Sequence, residues 1–176
     1  MSKTREELRL AGVELNGPIV PEHFKWKVFS DACSIKGSWF RKVLNADQTK
    51  AACFIHDYEY FLTNICYTPG SKKYRASRHE ADVHLRWNRT LIGKGFIRGQ
   101  VFGRIYYRGV RFPIFGGARA MRRKHGKLVA PPSMQSLNWV RKDCLSLCNG
   151  RLTAPAVRQL QQWHDKITEE STDEPI

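Results

Sequence analysis

Ala51-Ala52-Cys53-Phe54-Ile55-His56-Asp57-Tyr58-Glu59-Tyr60, then after a loop Ser77-Arg78-His79-Glu80-Ala81-Asp82, is the stretch on which the fold turns. Asn45-Ala46-Asp47 can cap a helix running to about Leu62, with Ala52, Ile55, His56, Glu59 and Tyr60 on one arc. Asn64 to Ala76 holds Pro69-Gly70 and several Lys and Ser residues and reads as a loop. Ser77-Arg78-His79-Glu80 has the spacing of a capping box, in which the Ser77 hydroxyl and the Glu80 carboxylate each satisfy an exposed backbone donor. A second helix should therefore run from Arg78 to about Ile92, where Gly93 and Gly95 break it. Packed antiparallel, the two helices would let Asp82 reach the imidazole of His56 or the phenol of Tyr60.

Outward from this pair the chain reads as mainly α. Residues 5–15 alternate loosely and end at the turn signal Asn16-Gly17-Pro18. The alternation of Phe24, Trp26 and Val28 predicts a short N-terminal β element. A third helical pattern covers Gly99 to Arg111 and is stopped by Pro113. A short helix spans about Leu137–Cys148, and a last one starts with Thr153 as N-cap and Pro155 in its first turn, running to about Ile167. The resulting divisions are an N-terminal segment 1–18, a helical core 19–120, a basic Pro-containing loop 121–136, C-terminal helices 137–168 and an acidic tail 169–176.

The 176 residues suit one domain and exclude two full-sized enzyme domains. With 41% hydrophobic and 11% aromatic residues the chain can build a core, which excludes wholesale disorder. No apolar run approaches the roughly 20 residues that a membrane-crossing helix needs. The first residues, Met1-Ser2-Lys3-Thr4-Arg5-Glu6-Glu7, lack the apolar stretch of a secretory signal, so synthesis in the cytoplasm is expected. Five scattered cysteines (Cys33, Cys53, Cys66, Cys144, Cys148) read as reduced, mostly buried thiols. Cys144 and Cys148 share a helix face but have no second ligand pair, which argues against zinc.

The net charge of +14 is not spread evenly. From His84 to Lys142 there is no Asp or Glu, while 14 of the 30 Lys and Arg residues lie there; the remaining 16 balance the 16 acids. Arg119, Arg122, Arg123, Lys124 and Lys127 are its densest part and the candidate polyanion contacts, for nucleic acid, an anionic lipid surface or an acidic partner. A solvated basic face is an equal reading. No helix-turn-helix, zinc-finger or ribonucleoprotein signature accompanies the block, so sequence-specific recognition is not expected. The aromatics of residues 96–115, and the five tryptophans Trp26, Trp39, Trp87, Trp139 and Trp163, are assigned to core packing.

His56 and Tyr60 stand one turn apart and share a face, while Asp57 points about 100° around from His56. An imidazole oriented by a buried carboxylate is a competent general base, because the carboxylate fixes its tautomer and stabilises the imidazolium. The same three groups could equally form an interhelical lock without turnover. For Asp82 an i,i+4 ion pair with Arg78 or Arg86 is a further alternative. His79 and His84 are five apart, so a helix would not turn both toward one zinc ion.

His-Asp-x-x-Tyr on one helix, followed by Ala-Asp on the next, resembles the catalytic helix pair of secreted phospholipase A2 and of the phospholipase module of parvovirus capsids. A fuller resemblance, over roughly residues 18–120, is to short phage and bacterial proteins of unknown function. It rests on Val20-Pro21, Asp31-Ala32-Cys33-Ser34, His56-Asp57-x-x-Tyr60, Ser77-Arg78-x-x-Ala81-Asp82 and Tyr107-x-x-Val110-Arg111…Gly116-Gly117. The phospholipase resemblance implies that His56 deprotonates a water, Asp82 orients His56 and Tyr60 anchors Asp82. It also implies that Asp57 ligates a calcium ion, with Asp31 as a stand-in for the missing glycine-rich calcium loop. The paired cysteines that precede the catalytic histidine in the secreted enzymes are replaced by Ala52-Cys53. The phage resemblance implies a virion-associated tail or entry protein with other virion proteins as partners. Three functions stay open: a virion component whose cluster is structural, a calcium-dependent ester or phospholipid hydrolase, and a polyanion-binding accessory protein.

Overall fold

In the computed structural model the described residues are 5–10, 12–21, 24, 50–92, 100–101, 104–105, 107–108 and 128–172. They form five helices: α1 (Arg5–Leu10), α2 (Lys50–Cys66), α3 (Lys72–Ile92), α4 (Met134–Leu147) and α5 (Ala154–Thr172). The mainly α architecture is therefore as expected. The β element is not found among the described residues. Ile19–Pro21 is irregular, and Phe24 sits in a single 3₁₀ turn closed by its N–H on the Pro21 carbonyl (3.0 Å). Trp26 and Val28 lie outside the described residues.

The organising element is α2, which packs against α3, α4 and α5. Its burial runs all the way round, with Ala52, Ile55, Tyr58, Phe61, Leu62 and Ile65 all enclosed. A helix enclosed on every side must present apolar groups, or fully satisfied polar ones, on every face. On one flank, Tyr58, Phe61, Leu62 and Ile65 meet Phe24, Leu137, Val140, Leu160 and Trp163 in the main core. The Phe61 and Trp163 rings stack with centroids 6.0 Å apart, and Phe24 meets Tyr58 edge-on at 4.8 Å. A smaller apolar group, Leu8, Leu15, Ala51 and Ile55, fastens the N-terminal segment to the start of α2.

That segment is directed by two local devices. Helix α1 ends on Gly12 at positive φ, with Val13 N–H on the Leu8 carbonyl and Gly12 N–H on the Arg9 carbonyl, the paired bonds of a Schellman stop. The predicted turn at Asn16-Gly17-Pro18 brings backbone against α2. Gly17 has φ of 99°, and a Cβ there would lie 2.6 Å from Ile55 Cγ2. Buried Asn88 closes the contact, accepting from Asn16 N–H (2.7 Å) and donating to the Asn16 carbonyl (2.9 Å).

Helices α2 and α3 form an antiparallel hairpin. The contacts Asn64–Tyr74, Thr63–Ser77, Tyr60–Asp82 and Cys53–Arg89 run in opposite directions along the two chains. The connection is shorter than the sequence suggested, because α2 continues to Cys66 and α3 begins at Lys72. Ser77 and Glu80 are therefore not a cap. They lie inside α3, where the Ser77 hydroxyl pairs with Thr63 Oγ1 (2.7 Å) and Glu80 is exposed. The capping group is Ser71, whose Oγ accepts from the Tyr74 N–H (3.1 Å). The predicted break after Ile92, at Gly93 and Gly95, lies outside the described residues. Within the expected Gly99–Arg111 helix, the described residues are helical.

At the C-terminal end α4 starts three residues earlier than expected, on an N-cap at Ser133, and stops on Asn149 at φ of 56°. Thr153 sits at the expected N-cap of α5, and its hydroxyl also donates to the Cys66 carbonyl at the end of α2. The helix continues to Thr172, past the predicted end at Ile167. No helix among the described residues is long and apolar enough to cross a membrane.

Candidate functional site

The polar groups buried between α2 and α3 define the site. His56 and Tyr60 are four positions apart, so both side chains leave α2 on the face that α3 covers. Asp82 stands opposite them on α3, 2% exposed beside the buried Ala81 and Leu85. Its Oδ1 lies 3.1 Å from His56 Nε2 and accepts the hydroxyl hydrogen of Tyr60. One carboxylate oxygen thus ties two residues of α2 to α3. The His56 and Tyr60 rings lie 4.2 Å apart, which leaves the imidazole little freedom to rotate.

The other imidazole nitrogen, Nδ1, faces Asp57 Oδ1 at 3.6 Å, outside hydrogen-bond distance. Burial works against a charge on His56. The hydrogen bond with Asp82 and the negative charges of Asp57 and Asp82 outweigh it and push the imidazole up to about 9. Burial and the negative Asp82 raise the Tyr60 phenol, which stays a hydroxyl donor. Arg78, one turn before Asp82, places its guanidinium 5.4 Å from the Tyr60 ring centroid, and its buried Nε lacks a hydrogen-bond acceptor.

Asp57 is a hard oxygen donor, 16% exposed, which suits calcium chemically. Calcium takes about six to eight oxygens. The described residues contribute this one carboxylate, and no group of three His, Cys, Asp or Glu gathers among them. Asp31, expected as a further ligand, lies outside the described residues, as do Arg119, Arg122, Arg123, Lys124 and Lys127.

Several polar contacts were not legible from the motifs. His84, set aside as half of a metal pair, faces Glu59 Oε1 across the hairpin (2.5 Å), and this bond raises its imidazole. Neither Arg78 nor Arg86 forms an ion pair with Asp82. On the opposite side of α2, Tyr58 donates to Asp143 Oδ2 (2.6 Å), and burial raises that carboxyl. The expectation of five reduced thiols is corrected: Cys53 is disulfide-bonded, whereas Cys66, Cys144 and Cys148 are free. Trp163 is buried as expected, but Trp87 and Trp139 are 46% and 44% exposed, against the reading of both as core.

No family model matches the chain, and neither does any curated protein or solved structure.

Proposed function

We propose that the α2–α3 hairpin carries a hydrolytic site in which His56 is the general base and Asp82 and Tyr60 position it. The observation that carries this reading is the shared Asp82 Oδ1, which accepts from Tyr60 and lies 3.1 Å from His56 Nε2. In the neutral imidazole, which with a pKa of about 9 predominates only above that pH, a carboxylate there selects the tautomer with hydrogen on Nε2 and leaves the Nδ1 lone pair as the base. Nδ1 then takes a proton from water, and the resulting hydroxide adds to an ester carbonyl carbon. Collapse of the tetrahedral intermediate expels the alcohol oxygen, which recovers that proton from Nδ1 to give acid and alcohol. A calcium ion held partly by Asp57 would supply charge stabilisation for the developing oxyanion. The substrate class is a carboxylic ester, with phospholipid the case suggested by the likeness to phospholipase A2. The setting that goes with it is a phage virion-associated entry protein working among other virion proteins.

A structural lock is the second reading, favoured by the fact that both imidazole nitrogens face carboxylates. This is also the arrangement of an imidazolium held between two anions. Ester cleavage and melting with calcium or chelator, for wild type and Asp57→Asn, separate the two. Hydrolysis predicts calcium-dependent cleavage and a calcium-dependent rise in melting temperature, both lost in Asp57→Asn. At calcium a hundredfold above its dissociation constant that stabilisation is about 2.7 kcal/mol. No cleavage and no calcium shift in wild type would leave the lock.

A further inference from the structure

We infer that the outer face of α3 beyond Asp82, together with the helical residues near Tyr107, is a docking surface for anionic lipid. Trp87 and Leu91 are 46% and 47% exposed and stand one turn apart on α3. Val101 and Ile105 repeat the pattern at 49% and 46% exposure, again four residues apart. A single exposed hydrophobe is ordinary, but two pairs at helical spacing present apolar stripes to solvent. Arg86 joins the two segments: its guanidinium lies 5.7 Å from the Trp87 ring centroid and 5.9 Å from that of Tyr107. Arg104 and Arg108, also one turn apart, are exposed in the same stretch as Val101 and Ile105.

Charge selects the occupant. This face belongs to the part of the chain, His84 to Lys142, that has no Asp or Glu. Its arginines meet no acid of their own segment and favour a polyanion. Nucleic acid and lipid both supply phosphate, and the apolar stripes decide between them. Leu91, Val101 and Ile105 have no π-face for a base to stack on, and an aliphatic side chain gains nothing beside a sugar-phosphate backbone. In a bilayer they enter the acyl boundary, the Trp87 indole rests at headgroup level, and the guanidiniums pair with lipid phosphates. This inference does not depend on His56 being catalytic.

Cosedimentation of the full chain with phosphatidylcholine vesicles, with and without phosphatidylglycerol, tests it by binding alone. Wild type should bind the phosphatidylglycerol vesicles preferentially, and the preference should weaken as salt rises. Arg104→Ser with Arg108→Ser should cost about fivefold in partitioning for each arginine at low salt. Trp87→Ser with Leu91→Ser should weaken binding at every salt concentration. All four side chains are exposed, and far-ultraviolet circular dichroism checks that helix content is kept. Equal binding to both kinds of vesicle overturns the inference. So does wild-type vesicle binding by both double variants. If duplex DNA displaces the vesicles and the Trp87/Leu91 variant binds that DNA like wild type, the face is a nucleic-acid surface and the inference fails.

Discussion

Helix α2 has two flanks of opposite character, and both are buried. Toward α4 and α5 it presents Phe61, Leu62 and Ile65 to Trp163, Leu137 and Val140. Toward α3 it presents His56, Tyr60 and Thr63 to Asp82 and Ser77. The first flank is held by apolar area removed from water, which is roughly additive and tolerates substitution of similar volume. The second is held by groups whose burial costs free energy unless each finds its partner, so it is all-or-none. Buried ionisable networks are a poor way to gain stability over an apolar core. Their presence on one flank of a helix with an apolar alternative on the other is what directs attention to chemistry at His56.

The contrast can be broken at either flank. Phe61→Ala should give the largest loss, about 3–5 kcal/mol, by opening a cavity against Trp163 and Phe24. It should leave any ester cleavage by the remaining folded protein intact; urea unfolding combined with an activity assay reads both. Asp82→Ala should cost about 3 kcal/mol or more, because it strands the Tyr60 hydroxyl and the His56 imidazole in a buried site. Replacing Asp82 with Asn keeps the volume and should recover much of that stability but not the general base. Recovery of cleavage in Asp82→Asn would remove the orienting role given to the carboxylate.

Two smaller effects sharpen the comparison. Gly17→Ala adds a Cβ against Ile55 at a backbone conformation that L residues rarely adopt. It should destabilise by about 1–3 kcal/mol through the N-terminal contact, without the pH dependence that titratable groups on the α3 flank impose. The pH effect itself should come partly from His84, whose hydrogen bond to Glu59 raises its folded pKa above the unfolded value. Stability from that pair is fully present below about pH 6.5 and is lost as pH rises through the raised folded value. Melting curves across that range should flatten in His84→Gln, and an unchanged slope would assign the pH dependence elsewhere. The smallest change is Ser77→Ala, which removes one hydroxyl pair with Thr63 inside the hairpin and should cost about 1 kcal/mol.

Much of the hairpin was legible because its signals are local. The i,i+4 spacing of His56 and Tyr60 requires only a helix to bring them onto one face, and Pro69-Gly70 requires a turn before the next. Thr153 ahead of Ala154-Pro155, and the turn at Asn16-Gly17-Pro18, are legible for the same reason. Ser77-x-x-Glu80 misled because the same spacing arises inside a helix as easily as at its start. The true cap, Ser71, has no acidic residue three positions on to announce it. Tyr58–Asp143 and Asn16–Asn88 join residues 85 and 72 positions apart, beyond the reach of any local pattern. Trp87 reads as core by composition and is left in solvent by the packing of the hairpin.

By itself the sequence determined that this chain is mainly helical, that His56, Asp57 and Tyr60 share a helix, and that the positive charge concentrates after Val83. These follow from backbone period and residue chemistry, which act over a few positions. Only the tertiary structure decided that Asp82, and not Arg78 or Glu80, meets both His56 and Tyr60. That choice depends on the register of two antiparallel helices, and register is set by how Thr63, Ser77, Asn64 and Tyr74 mesh along the hairpin. A shift of one residue would turn Asp82 about 100° away from the imidazole.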